Sequence, residues 1–110
     1  MPRTPEELVQ GQLEAYNAHD IDSFCRFFAQ DIRVFDAHTQ ELMLAGMEDF
    51  RARYTETLSN PALHCTLQNR MVQGNIVIDQ ELVEGFGEEY KHAIAIYHIH
   101  NDIISEVHFY

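Results

Sequence analysis

The chain has 110 residues, 45% of them hydrophobic, with 18 acidic and 7 basic side chains and a formal charge of −11. That length and composition predict a single domain, residues 1–110, with one hydrophobic core. The negative balance argues against nucleic acid and anionic membrane surfaces as partners, because both need clustered Lys and Arg. The opening MPRTPEEL lacks the apolar run of an export signal, and no stretch is long enough to span a bilayer. Cys25 and Cys65 fall at apolar positions and read as reduced, buried thiols. Together these features predict a cytoplasmic protein.

The first helix is expected to begin at Thr4–Pro5. Thr4 caps it, Pro5 suits the first helical position, and Glu6 and Glu7 complement the positive end. Within it Val9, Gln12, Leu13 and Tyr16 fall at i, i+3, i+4 and i+7, which is one face. Three of the four suit a core. Gln12 aims an amide into it. His19-Asp20 makes a turn, and Asp20 caps a second helix whose buried face is Ile21, Phe24, Cys25 and Phe28.

A strand is expected over 32–37, with Ile32, Val34 and Asp36 on one face and Arg33 and Phe35 on the other. If Ile32 and Val34 face the core, Asp36 does too, and its carboxylate opposes the Gln12 amide across an apolar interior. The plainer alternative is that Asp36 reaches water past the strand end and Gln12 lies at the edge of its helix stripe. A short strand over 41–45 follows the connection His38-Thr39-Gln40. Gly46 breaks the pattern, and a third helix covers 47–58 with Met47, Phe50, Tyr54 and Leu58 inward. Pro61 stops it, since the residue before a proline avoids the helical region.

From Ala62 onward the chain reads as strands. Leu63, Cys65, Leu67 and Met71 alternate with His64, Thr66, Gln68 and Arg70. Gly74-Asn75 is a turn, 76–84 a strand, Gly85-Phe86-Gly87 a break, and 90–100 the next strand. Asn101-Asp102 is a two-residue hairpin signal, and 103–110 closes the sheet. Three helices in the N-terminal half and a long antiparallel meander indicate an α+β fold, a cone of helices on one face of a strongly curved sheet. The open end of such a cone is a natural pocket.

Further polar candidates lie on the strands. Asp79 and Glu81 share a face with Val77 and Val83, while Ile76, Ile78, Gln80 and Leu82 take the other. If the first face is inner, Asp79 opposes Asp36 as a second carboxylate, suited to acid–base work. The solvent or dimer side is the favoured placement. His98 and His100 share a face, but a plain hairpin pairs them with Ser105 and Ile103. No third ligand then appears, so no metal is expected. With no GxSxG, phosphate loop, zinc or dinucleotide signature, no cofactor is expected either. Tyr16, Phe24, Phe28, Phe50, Tyr54, Tyr97 and Phe109 are core aromatics, some of them at a pocket wall.

The run AYNAHDIDSFCRFFAQDIRVFD, a glycine opening a helix that contains RARY, and the closing NDIISEVHFY together resemble the SnoaL-like and ketosteroid isomerase-like branch of the nuclear transport factor 2-like superfamily. The resemblance spans nearly the whole chain. It implies a cystatin-like cone with a mostly antiparallel mixed sheet, a deep apolar pocket, and dimerisation through the outer sheet face. It also implies a β-bulge in the last strand, which would turn His108 outward and Val107 and Phe109 inward. In the steroid isomerases an Asp base ends the first strand, where Asp36 stands here. A Tyr on the first helix donates to the oxyanion, where this chain has Gln12. A protonated Asp on the penultimate strand is the second donor, where this chain has Ala95, followed by the inward Tyr97. One role is kept, one altered and one lost.

The expected function is that of a small-molecule pocket protein. Asp36 would be the base and Gln12 the charge-stabilising donor. The substrate would be an apolar ring held by Tyr16, Phe28, Tyr54, Asp79, Ala95, Tyr97 and Phe109. A non-catalytic binding dimer of the same fold is the alternative. Ile94 and Ile96, apolar on the outer face of their strand, predict a homodimer across that face.

Overall fold

The computed structural model describes residues 3–110. Met1 and Pro2, which open the stretch read for an export signal, lie outside the described residues. Thr4 starts the fold as the sequence predicts. Its hydroxyl accepts from the Glu7 N–H, and the Glu7 carboxylate accepts from the Thr4 N–H, closing a capping box on α1, Pro5–Asn17. Asp20 caps α2 by accepting from the Ser23 N–H. This helix is only Ile21–Cys25, shorter than its apolar periodicity implies. Phe28 belongs to the strand that follows, not to the helix face. Strand pairing with the C-terminal strand reaches Phe28, opposite Ile104, and wins over helical continuation.

That strand, β1, is Phe28–Asp36, followed by β2 Leu42–Ala45 and α3 Met47–Leu58. Gly46 precedes α3 with φ +88°, a backbone region open to glycine. Four longer strands complete the chain: β3 His64–Gln73, β4 Ile76–Glu84, β5 Lys91–His100 and β6 Ile103–Phe109. Their order in the six-stranded sheet is β2-β1-β6-β5-β4-β3. Only β1 and β6 pair in parallel, so the sheet is mixed and mostly antiparallel. Asn101 and Asp102 take positive φ, as their two-residue hairpin requires.

The helices cover the inner face of this sheet. Leu8 and Val9 from α1, Phe24 from α2 and Phe50 from α3 form one core cluster with Ile32, Val77, Ala95, Ile104 and Val107 from the strands. Phe24 sits amid Phe28, Phe50, Tyr54 and Tyr16, with ring centroids 4.9–5.9 Å away. Polar ties fix the corners. The Asn17 side chain donates to the Cys65 carbonyl and accepts from the Cys65 N–H, pinning the end of α1 to the edge strand β3. The His19 ring bridges the carbonyls of Leu58 and Leu63.

Two bulges decide which side chains look inward. In β6 the pairing with β5 shifts between His98 and Ile99, so His108 faces outward opposite Ile96, while Val107 turns in opposite Tyr97. This is the bulge the resemblance implies. In β3 the register shifts between Leu67 and Asn69. Simple alternation puts Met71 inside with Cys65 and Leu67. The shift reverses this, leaving Met71 60% exposed and bringing Arg70 opposite Asp79.

Candidate active site

A cavity of about 110 Å³ lies between the helices and the concave sheet face. Its walls are largely the aromatics Tyr16, Phe24, Phe28, Phe50, Tyr54, Tyr97 and Phe109. Its polar groups are the Gln12 amide, the tyrosine hydroxyls, the Cys65 thiol and the carboxyl of Glu81. The sheet positions them by alternation: Glu81 and Val83 project from β4, Ala93 and Tyr97 from β5, and Val107 and Phe109 from β6.

Glu81 is the one carboxyl among the described lining residues, and only 5% of its surface is exposed. Burial, with the neighbouring Asp79 charge next in size, pushes its pKa from 4.5 up to about 7. The Cys65 thiol and the Arg70 guanidinium pull in the other direction but do not prevail. A carboxyl at about 7 exchanges its proton readily near neutrality, so it can act as base in one state and acid in the other. Burial also raises the pKa of Tyr16, Tyr54 and Tyr97, keeping their hydroxyls protonated and able to donate.

Asp79 is two residues before Glu81 and fully buried, but its charge is matched. Arg70 Nε and Nη2 donate to its two carboxylate oxygens at 2.7 and 2.9 Å, and Nη1 reaches Gln10 Oε1 at 3.0 Å. This bidentate pair is the charge-assisted geometry that keeps both ions tolerable inside a protein. It plugs the sheet beside the cavity and holds a fixed negative charge one inward position from Glu81.

A profile of the SnoaL-like domain matches residues 9–107. The chain belongs to the SnoaL-like domain family. No curated protein matches the sequence. Among solved structures, an uncharacterised cystatin-fold protein from Novosphingobium aromaticivorans superposes with a TM-score of 0.87 at 22% identity, covering 98% of each chain. A candidate ketosteroid isomerase from Kribbella flavida gives 0.83 at 17% identity, over 96% of this chain and 75% of that one. A candidate polyketide cyclase from Sinorhizobium meliloti gives 0.78 at 16% identity, over 98% and 100%. At these identities the likeness concerns the cone-shaped α+β fold.

Within this SnoaL-like domain the residues expected at the site part company. Gln12, Tyr16, Phe28, Tyr54, Tyr97 and Phe109 all line the cavity. Phe28 does so from β1. Gln12 has a different task from the one expected. Its Nε2 donates to the Val9 carbonyl at 3.0 Å and to the Tyr97 hydroxyl at 3.2 Å, so both amide protons are used inside the protein. The Val9 carbonyl can only accept, which fixes the orientation of the amide. Tyr97, accepting from Gln12, keeps its own proton for another partner.

Asp36, Asp79 and Ala95 are not among the lining residues. Asp36 follows Ile32 and Val34 in alternation and pairs with Phe109, but the strand ends there. Its Oδ1 accepts from the backbone N–H groups of His38 and Thr39 at 2.8 and 3.3 Å, capping the turn that leads to β2. Asp79 is inward, not on the solvent side, and is paired with Arg70. Ala95 is fully buried between strands.

In the sequence Glu81 is only a companion of Asp79, on a face expected to lie outside. The signal was weak because β4 is apolar on both faces. Its register against β5 carries the information: Val77 opposes Tyr97 and Asp79 opposes Ala95, both on the inward face of β5. The expectation of no metal rested on there being no third ligand near His98. The β6 bulge removes that ground. His98 now opposes Glu106, and one ligand atom from each of His98, Glu106 and His108 lies within 4.8 Å of the others, outside the cavity on the opposite sheet face.

Proposed function

We propose that this SnoaL-like domain binds a small apolar, ring-containing molecule and moves a proton on it, an isomerase- or cyclase-type activity, with Glu81 as the acid–base group. The observation that carries this reading is a single carboxyl, held at about pKa 7, facing an aromatic cavity. Deprotonated Glu81 removes a proton next to a carbonyl or enol carbon. Charge then develops on the substrate oxygen. The neutral hydroxyls of Tyr16, Tyr54 and Tyr97 are the donors available to it. Gln12 acts through Tyr97, by occupying its acceptor side. Protonated Glu81 returns the proton at a second carbon.

Size narrows the substrate. A cavity of about 110 Å³ is below the roughly 300–1,000 Å³ of sites for drug-sized ligands and nearer the roughly 150 Å³ that takes benzene. That space matches one small ring at most, and a four-ring steroid does not fit. The reading includes a homodimer through the outer sheet face, supported by Ile94 and Met71, which are 37% and 60% exposed there, and a cytoplasmic setting, supported by two free, buried cysteines.

The test pairs binding with exchange. Monocyclic ketones and enones are screened by thermal shift, since a ligand stabilises the native state by mass action. Exchange of the α-proton of a hit into deuterated water is then followed by NMR. Glu81→Gln should keep affinity and lose about 10²-fold or more of the exchange rate, the usual size of a general-base contribution. Asp36→Asn should change neither. Loss in Asp36→Asn with retention in Glu81→Gln would return the base to the end of β1. Tight binding without exchange in the wild type would make the protein a binder.

A further inference from the structure

We propose that the outer face of the sheet carries a zinc-class cation site built from His98, Glu106 and His108. The three residues come from two adjacent strands, His98 on β5 and the other two on β6. The β6 bulge creates the set. It places Glu106 directly opposite His98 and His108 opposite Ile96, so that two imidazoles and a carboxylate project from one face within two pleats. One ligand atom from each lies within 4.8 Å of the other two.

These separations suit a first-row metal. With bonds of about 2.0–2.1 Å to nitrogen or oxygen, tetrahedral ligands stand about 3.4 Å apart. His108 Nε2 and Glu106 Oε2 are 3.6 Å apart, and the three residues' ligand atoms all lie within 4.8 Å of one another. Two imidazoles select zinc and its neighbours over calcium or magnesium, which prefer all-oxygen shells. Three protein ligands leave a fourth position for water.

The surroundings are those of a held ligand set. Arg33 Nη2 donates to Glu106 Oε1 at 2.5 Å, which fixes the carboxylate and leaves Oε2 for the cation. The Arg33 side chain is 55% exposed, so water screens its charge. Phe35 stacks on the His108 ring at 4.7 Å between centroids, with 13° between planes, and orients it. In the single chain Glu106 and His108 keep 23% and 19% of their side-chain surface exposed. The chain's charge of −11 enriches cations around it.

The test is a titration of metal-stripped protein with zinc, and with cobalt(II) as a spectroscopic reporter. One cation per chain is expected, with a cobalt spectrum of nitrogen and oxygen ligation. His98→Ala, His108→Ala and Glu106→Gln should each weaken binding by about tenfold or more, the least effect seen when a metal site loses even a supporting group. Glu106→Gln keeps an acceptor for Arg33, so it reports on the ligand if an alanine variant folds poorly. His64→Ala and His92→Ala, exposed histidines elsewhere, should leave binding unchanged. Absence of stoichiometric binding would overturn the site. So would binding that survives all three site variants or is lost in the two controls.

Discussion

Replacing Glu81 with Gln removes an ionisable group while keeping its shape, and the structure sets the size of the result. Folding raises the pKa of Glu81 from its ordinary 4.5 to about 7. The folded state therefore binds this proton more tightly than the unfolded chain. The group costs nothing below the unfolded value, and stability falls as pH rises through the interval up to about 7. Above it the penalty is constant. From 4.5 to about 7, at about 1.4 kcal/mol per tenfold change, it reaches about 3 kcal/mol. Glu81→Gln should therefore be more stable than wild type at about pH 8 by about 3 kcal/mol, or about 10–15 °C in Tm for a chain of this size. The gain should shrink by about 2 kcal/mol near pH 5.5, still clear of the isoelectric point of 4.8. Urea melts of both proteins at the two pH values measure it, and titrations common to both cancel in the difference. A stability gap that does not change with pH, or a variant less stable at pH 8, would refute the raised carboxyl. A stability gain at the cost of proton exchange is the trade expected of a functional group buried against its solvation preference.

Local chemistry made most of the fold legible. The Thr4 cap, the Asp20 cap, Gly46 before α3, the proline at 61 and the Asn101-Asp102 turn are each set by residues within a few positions of the element they end. What the sequence concealed was non-local. Phe28 fits a helix face by periodicity, and only pairing with Ile104 across the chain makes it a strand residue. The β3 bulge inverts Arg70 and Met71 relative to simple alternation, and the residues around Gln68 carry no glycine or proline to announce it. The site suffered most, because its chemistry depends on which face of β4 looks inward. Both faces of that strand are apolar enough to be buried, one against the helices and the other along the outer stripe with Ile94 and Ile96. Asp36 drew attention by alternation and by its place at the end of β1. Alternation gives the face, but the turn that follows gives the carboxylate its partners.

Other perturbations test the scaffold around the site. Asn17→Ala should cost about 1–3 kcal/mol by urea melt, since it strands the Cys65 N–H and carbonyl that the amide now satisfies. Gly85→Ala should lower the melting midpoint clearly, because φ there is +115° and a Cβ would stand 2.8 Å from Leu63 Cα. Ile94→Asp with Ile96→Asp should give a monomer by sedimentation if the wild type is a dimer through that face. A wild type already monomeric at micromolar concentration would remove the dimer. The last perturbation is Asp79→Asn, which reaches Glu81 through charge. Asp79 raises the Glu81 pKa and Arg70 lowers it. Removing the carboxylate deletes the first influence and frees the second, so both changes act in one direction. The Glu81 pKa should move down towards its ordinary value, read directly by NMR of the labelled carboxyl. The low-pH limb of any proton-exchange profile should move down with it. Leaving Arg70 buried without its partner should also cost about 3–5 kcal/mol of stability, so the measurement is made well below the melting temperature. A Glu81 pKa that stays near 7 in this variant would mean that burial alone sets it, and that the Arg70–Asp79 pair is structural support with no influence on the proton.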